Sequence, residues 1–122
     1  MSSCPCGGKS YASCCEPIHQ QRNASDAKIL MRSRYSAYVL KIDDYLLATW
    51  HPRTRPAQLD LADDDSRWLG LEIKSFLPLS DSSASVEFVA RYKTAGRAYR
   101  LHERSRFVYE NDAWFYLEGA LL

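Results

Sequence analysis

In Val86-Glu87-Phe88-Val89-Ala90-Arg91-Tyr92, the residues Val86, Phe88, Ala90 and Tyr92 alternate with Glu87 and Arg91. A period of two sets one side of an extended chain against a core and the other in water, so this stretch reads as a half-buried strand. Upstream, Leu69, Leu71 and Ile73 alternate with Gly70, Glu72 and Lys74; downstream, Arg97–Tyr109 and Trp114–Gly119 give two further extended runs. Turn residues separate the runs: Pro78 with Ser80-Asp81-Ser82-Ser83, then Ala95-Gly96, then Glu110-Asn111-Asp112. The pattern predicts a four-stranded antiparallel meander. The first half keeps a different period. Ala27, Leu30, Met31, Tyr35, Tyr38 and Val39 recur at three- and four-residue spacing, predicting an amphipathic helix over about 27–40 with Ser25 as N-cap and Asp26 in its first turn. A second helix, capped by Asp43, runs through Tyr45, Leu46, Leu47 and Trp50 and stops at His51-Pro52, because a residue before proline is pushed out of the α region. Residues 53–66 read as a loop or a short helical turn. Two helices gathered on one face of an antiparallel sheet make an α+β domain.

The chain of 122 residues has room for one domain, assigned to 23–122, and a short appendage at 1–22. Hydrophobic residues form 46% of it, enough to build an ordinary core. No apolar run approaches the ~20 residues of a membrane span, and Met1-Ser2-Ser3-Cys4-Pro5-Cys6 lacks a signal peptide's apolar stretch. A cytoplasmic protein with reduced thiols is expected. A net charge of +1 supplies no global field toward nucleic acid or acidic lipid. Arg100, Arg104 and Arg106 share a strand face with His102, which reads as a solvated face, so nucleic acid is not an expected partner. Glycine-rich phosphate loops, nucleophile elbows and His-Glu zinc-protease motifs are absent from the sequence.

All four cysteines stand within the first fifteen residues, at Cys4, Cys6, Cys14 and Cys15. A Cys-x-Cys disulfide closes a very small ring, and a bond between neighbours strains the peptide between them. Two tight pairs joined by a glycine-bearing loop can instead converge on one tetrahedral ion. The spacing therefore favours a structural zinc site, with a redox-active thiol or disulfide role as the alternative.

The run C-P-C-G-G-K-S-Y-A-S-C-C (residues 4–15) resembles the SEC-C motif, the small zinc-binding element of the SecA translocation ATPase. The spacing here is one residue shorter than in that motif. The resemblance implies zinc ligation by Cys4, Cys6, Cys14 and Cys15, with His19 as a reserve ligand should a helical turn bring its imidazole in. It also implies protein contacts: a chaperone or the ribosome as partner, touched by the loop residues Lys9 and Tyr11. Four separated blocks, Leu30–Tyr35, Ala48–Pro52, Trp68–Leu71 and Glu103–Phe107, look like those of the bacterial YchJ-like family. That family joins a SEC-C-like motif to a nuclear transport factor 2-like (cystatin-like) domain. The resemblance thus implies a curved sheet wrapped over helices, with a cone-shaped cavity.

Four residues are candidates for that cavity. Arg34 lies four residues from both Leu30 and Tyr38, on the buried stripe, whereas Arg32 is expected to face solvent. A buried guanidinium needs a partner. Glu103, sharing a sheet face with Ser105 and Phe107, is the expected one. Trp50 and His51, at a helix exit, complete the set, with His51 as a possible base near neutral pH. The expected function is a noncatalytic module that binds a protein or a small polar or anionic ligand. The alternative is a small cavity enzyme of isomerase, hydratase or hydrolase type, for which an unpaired Glu103 or an inward His51 would argue. No catalytic residue is assigned. The apolar pattern of 23–122 is complete without the cysteines, so their loss is expected to leave the sheet folded.

Overall fold

The computed structural model describes residues 3–122; Met1 and Ser2, at the start of the expected 1–22 segment, lie outside the described residues. After a 3-10 turn at Tyr11–Ser13 come helices α1 (Cys15–Gln21), α2 (Ala27–Leu40) and α3 (Asp43–Ala48). A second 3-10 turn, Leu61–Asp63, leads into strands β1 (Arg67–Ser80), β2 (Ser83–Thr94), β3 (Arg97–Glu110) and β4 (Ala113–Leu121). The strands form one antiparallel sheet in the order β1-β2-β3-β4, the expected meander. Ala95-Gly96 and Asn111-Asp112 all take positive φ, between 51° and 79°, as the tight hairpins that match strand twist require.

Register shifts bend this sheet. On β1 they fall between Trp68 and Gly70, Ile73 and Ser75, and Pro78 and Ser80; on the β3–β4 pair, between Arg106 and Phe107. Each extra residue increases local twist and kinks its strand, which curves the sheet around the helices. The first bulge also turns Leu69 out into solvent (58% exposed), while Trp68 pairs with Tyr92 on the inner face. The apparent alternation through Leu69, Leu71 and Ile73 is therefore broken one residue in. Pro78, expected in a turn, lies inside β1, where an edge strand tolerates its missing N–H.

Helix α2 is capped by Asp26 and not Ser25. Asp26 is the extended residue directly before the first helical turn, and its carboxylate accepts from the Ile29 N–H at 2.8 Å. Asp43 likewise does not cap α3; its carboxylate accepts from the Leu61 N–H at 3.4 Å and ties the second 3-10 turn down. Helix α3 ends at Ala48, short of Trp50, because β4 competes for the backbone. The Tyr116 N–H donates to the Thr49 carbonyl and the His51 N–H to the Tyr116 carbonyl, each at 2.8 Å. Helix α1 lies within the appendage, where no helix was expected.

The core lies between α2 and the inner sheet face: Leu30, Met31, Tyr35 and Ala37 meet Ala84, Val86, Phe88, Ala90 and Phe107, with Tyr45 and Leu46 of α3 closing one end. Cys4, Cys6 and Cys15 belong to the same cluster, each no more than 5% exposed. The cysteine segment is thus built onto α2 and shares its core.

Candidate metal centre and cavity

The Pro5-Cys6-Gly7-Gly8 stretch closes a tight turn, with the Gly7 N–H on the Cys4 carbonyl and the Cys4 N–H on the Gly8 carbonyl, both at 3.0 Å. Gly7 sits at φ 103°, a region L side chains rarely enter. Gly8 is needed for a different reason: a Cβ there would stand 2.7 Å from the Cys14 sulfur. This turn and the start of α1 bring all four sulfurs within 4.8 Å of one another. Individual separations are 3.5 Å for Cys4–Cys6, 3.6 Å for Cys6–Cys14 and Cys6–Cys15, and 4.0 Å for Cys14–Cys15. Four thiolates at ~2.3 Å from a common tetrahedral centre stand roughly 3.8 Å apart, so the donor set fits zinc despite the short loop.

Helix α2 supplies the surroundings of the sulfurs. The Ser36 hydroxyl, fully buried, lies 3.3 Å from Cys15 Sγ and 3.5 Å from Cys4 Sγ. Arg32, one turn earlier and expected in solvent, is half-buried and close enough to Cys6 to favour its thiolate. The Cys6 thiol is pulled down to about 4 by hydrogen bonding from Cys15, helped by Arg32, the Gly8 backbone and Cys4. The hydrogen bond that Cys15 gives Cys6, together with burial, pushes Cys15 up, and burial together with Cys6 pushes Cys14 up to about 11.

His19 does not join the cluster. Its Nδ1 lies 2.7 Å from the Tyr11 hydroxyl and its Nε2 2.7 Å from the Ser33 carbonyl, so both ring nitrogens are committed. Tyr11 is therefore half-buried and turned inward, contrary to the expectation of a free contact residue; Lys9 is exposed.

A cavity of about 270 Å³ opens between α2 and the inner sheet face. Of the four candidates, Arg34 and Glu103 line it, and Trp50 and His51 do not. The expected Arg34–Glu103 ion pair is absent. Arg34 is 3% exposed and donates from Nη1 to the Leu46 carbonyl at 2.9 Å and the Thr49 hydroxyl at 2.8 Å. Its guanidinium lies 4.7 Å from the Tyr116 ring centre and 5.0 Å from that of Trp50. The end of α3 and two aromatic faces thus hold the cation, where a carboxylate was expected. Glu103 accepts instead from the Ser105 hydroxyl at 2.7 Å. Trp50 packs behind Arg34, its indole N–H buried with no partner among the described residues. His51 points the other way, with Nε2 3.0 Å from Glu110 and Nδ1 accepting from the Arg53 N–H at 3.1 Å.

Tyrosines are the cavity residues that sequence reasoning missed. Burial pushes Tyr38 up, and burial plus the charge of Glu103 pushes Tyr116 up to about 12, so both phenols remain protonated donors at neutral pH. Burial pushes Arg34 down while the oxygens of Tyr38 and Tyr116 support its charge. Gly119 sets Glu103 in place: a Cβ there would stand 2.2 Å from Glu103 Oε2 and 3.0 Å from the Tyr116 hydroxyl. Aromatic residues read first as core filling, and only the fold shows that Tyr38 and Tyr116 line the same cavity as Glu103. On the outer face, Glu87 pairs with His102 at 2.7 Å and Arg104 at 3.3 Å, which neutralises part of the arginine stripe.

Known proteins resemble the chain along both its cysteine segment and its sheet domain. The family profile described as "YchJ, middle NTF2-like domain" matches residues 26–119. A UPF0225 protein of Polaromonas naphthalenivorans is 52% identical, covering 95% of each chain, and one of Bordetella parapertussis is 52% identical over 97% of this chain and 92% of its own. The solution structure of a SEC-C motif containing protein from Rhodopseudomonas palustris superposes with a TM-score of 0.86 at 35% identity, covering 99% of each chain. The crystal structure of a SEC-C motif containing protein from Psychrobacter arcticus gives 0.85 at 31% identity, over all of this chain and 84% of that one. By sequence along nearly its whole length and by fold, the chain belongs to the YchJ-like, UPF0225 family of SEC-C-motif proteins.

Proposed function

We propose that the protein is a noncatalytic, zinc-stapled binding module of the cytoplasm, whose cavity takes a small ligand and whose N-terminal loop meets a protein partner. The observation that supports this most is the buried four-sulfur cluster at tetrahedral separations. Bound there by Cys4, Cys6, Cys14 and Cys15, zinc would have no open position for substrate and would act as a fastener between the cysteine segment and α2. A chaperone or the ribosome remains the partner suggested by likeness to the SecA element, with exposed Lys9 as the contact residue.

Elemental analysis and a free-thiol count on untagged protein purified under reducing conditions test the first half. About one zinc per chain with all thiols protected supports it. No metal and reactive thiols would overturn it in favour of thiol chemistry at Cys14-Cys15. Native mass spectrometry tests the second half: a retained small molecule supports the binding cavity.

One observation favours the enzymatic alternative. Glu103 has no cationic partner in the cavity and lies beside the Tyr116 hydroxyl, which gives a base and a proton donor. Conversion of the retained molecule, lost in Glu103→Gln, would move the protein to that class.

A further inference from the structure

We infer that the cavity binds a small zwitterion of the amino-acid class, with its carboxylate toward Arg34 and Tyr38 and its ammonium against Glu103. The inference rests on the binding reading and names what is bound. Two opposite charges line one cavity and neither neutralises the other: Arg34 takes part in none of the ion pairs among the described residues, and neither does Glu103. Arg34 is almost fully buried, and its known acceptors are a carbonyl, a hydroxyl and two ring faces, all neutral. One Glu103 oxygen takes the Ser105 hydroxyl, and the other has no hydrogen bond among the described residues.

That separation selects by charge. A lone anion that reaches Arg34 also meets Glu103, a lone cation that reaches Glu103 also meets Arg34, and a neutral molecule leaves both unpaired. A ligand carrying both charges satisfies each end. Met31, Tyr35, Trp68, Phe88 and Leu101 complete the wall and suit an apolar side chain. The volume of about 270 Å³ equals that of roughly nine waters at ~30 Å³ apiece, room for one amino acid. Gly119 adds a second argument, because it keeps open the space that the Glu103 carboxylate occupies beside Tyr116.

The test is calorimetric titration of the full chain with L-phenylalanine and L-leucine, alongside 3-phenylpropanoate and 2-phenylethylamine as single-charge analogues. An amino acid should bind, and each analogue should bind roughly tenfold or more weakly, the scale of one charge-assisted hydrogen bond. Glu103→Gln should erase the preference for L-phenylalanine over 3-phenylpropanoate. Gly119→Ala should do the same by displacing Glu103, with both variants shown folded by circular dichroism. Equal or tighter binding of either analogue would overturn the zwitterion and leave the binding cavity standing. Absence of binding by all four probes would overturn it as well, and the retained-ligand measurement then judges the cavity separately.

Discussion

At the scale of single residues, glycine and arginine positions carry the sharpest consequences. Gly8 faces the Cys14 sulfur with no room for a methyl group. Gly8→Ala should therefore weaken zinc binding roughly tenfold or more, a loss typical of disturbed ligand support, measured by competition with a chromophoric chelator. Unchanged affinity would mean that Cys14 is not held where the geometry puts it. Arg34→Met keeps the bulk of the side chain and removes its donors, leaving the Leu46 carbonyl and Thr49 hydroxyl without this partner. The expected cost is about 2 kcal/mol of stability in urea unfolding, the penalty of unmade buried hydrogen bonds. Sequence spacing found Arg34 on the buried stripe and Glu103 on the inner face. It missed that the guanidinium is held by the α3 terminus and by aromatic faces, since such partners leave no charge pattern in the sequence. Tyr38 and Tyr116 escaped for a related reason: their rings have ample reason to be buried whatever their hydroxyls do.

Among the elements, α2 was legible in its extent, 27–40, but not in its cap, nor in the burial of Ser33 and Ser36 and the half-burial of Arg32 on the side away from the apolar stripe. The strands were legible in number and order through their hairpin residues. Their bulges were not, since an inserted residue such as Leu69 looks like part of the alternation on either side of it. Helix α1 has no apolar period of its own; it follows from Cys15 being fixed in the core and His19 being bonded to Ser33 of α2. That attachment changes the expectation for the cysteines. Cys6→Ser should not merely free the first residues but lower the melting temperature of the whole domain, by roughly 10 °C if about 2–3 kcal/mol is lost. Hydrogen exchange should show the loss of protection reaching α2. A sheet and α2 unchanged in both measurements would restore the picture of an independent knob.

For the molecule as a whole, the buried phenols predict a particular alkaline limit. Burial pushes Tyr45 and Tyr116 up to about 12, against an ordinary value near 10. In that window the unfolded chain has released these protons and the folded chain has not, so unfolding gains from rising pH. Their contribution is complete below pH 10 and is lost toward pH 12. The melting temperature should fall across that interval, with tyrosinate absorbance lagging behind that of the unfolded protein; coincident titrations would contradict the burial of these hydroxyls. The same packing has a consequence for how the chain can vary. Helix α2 has the cysteine segment on one side and the sheet and cavity on the other, so between Ala27 and Ala37 only Lys28 is exposed. In a saturation mutagenesis screen for folded protein, this stretch should accept fewer substitutions than any strand. Drift would be left to the hairpins and the outer sheet face.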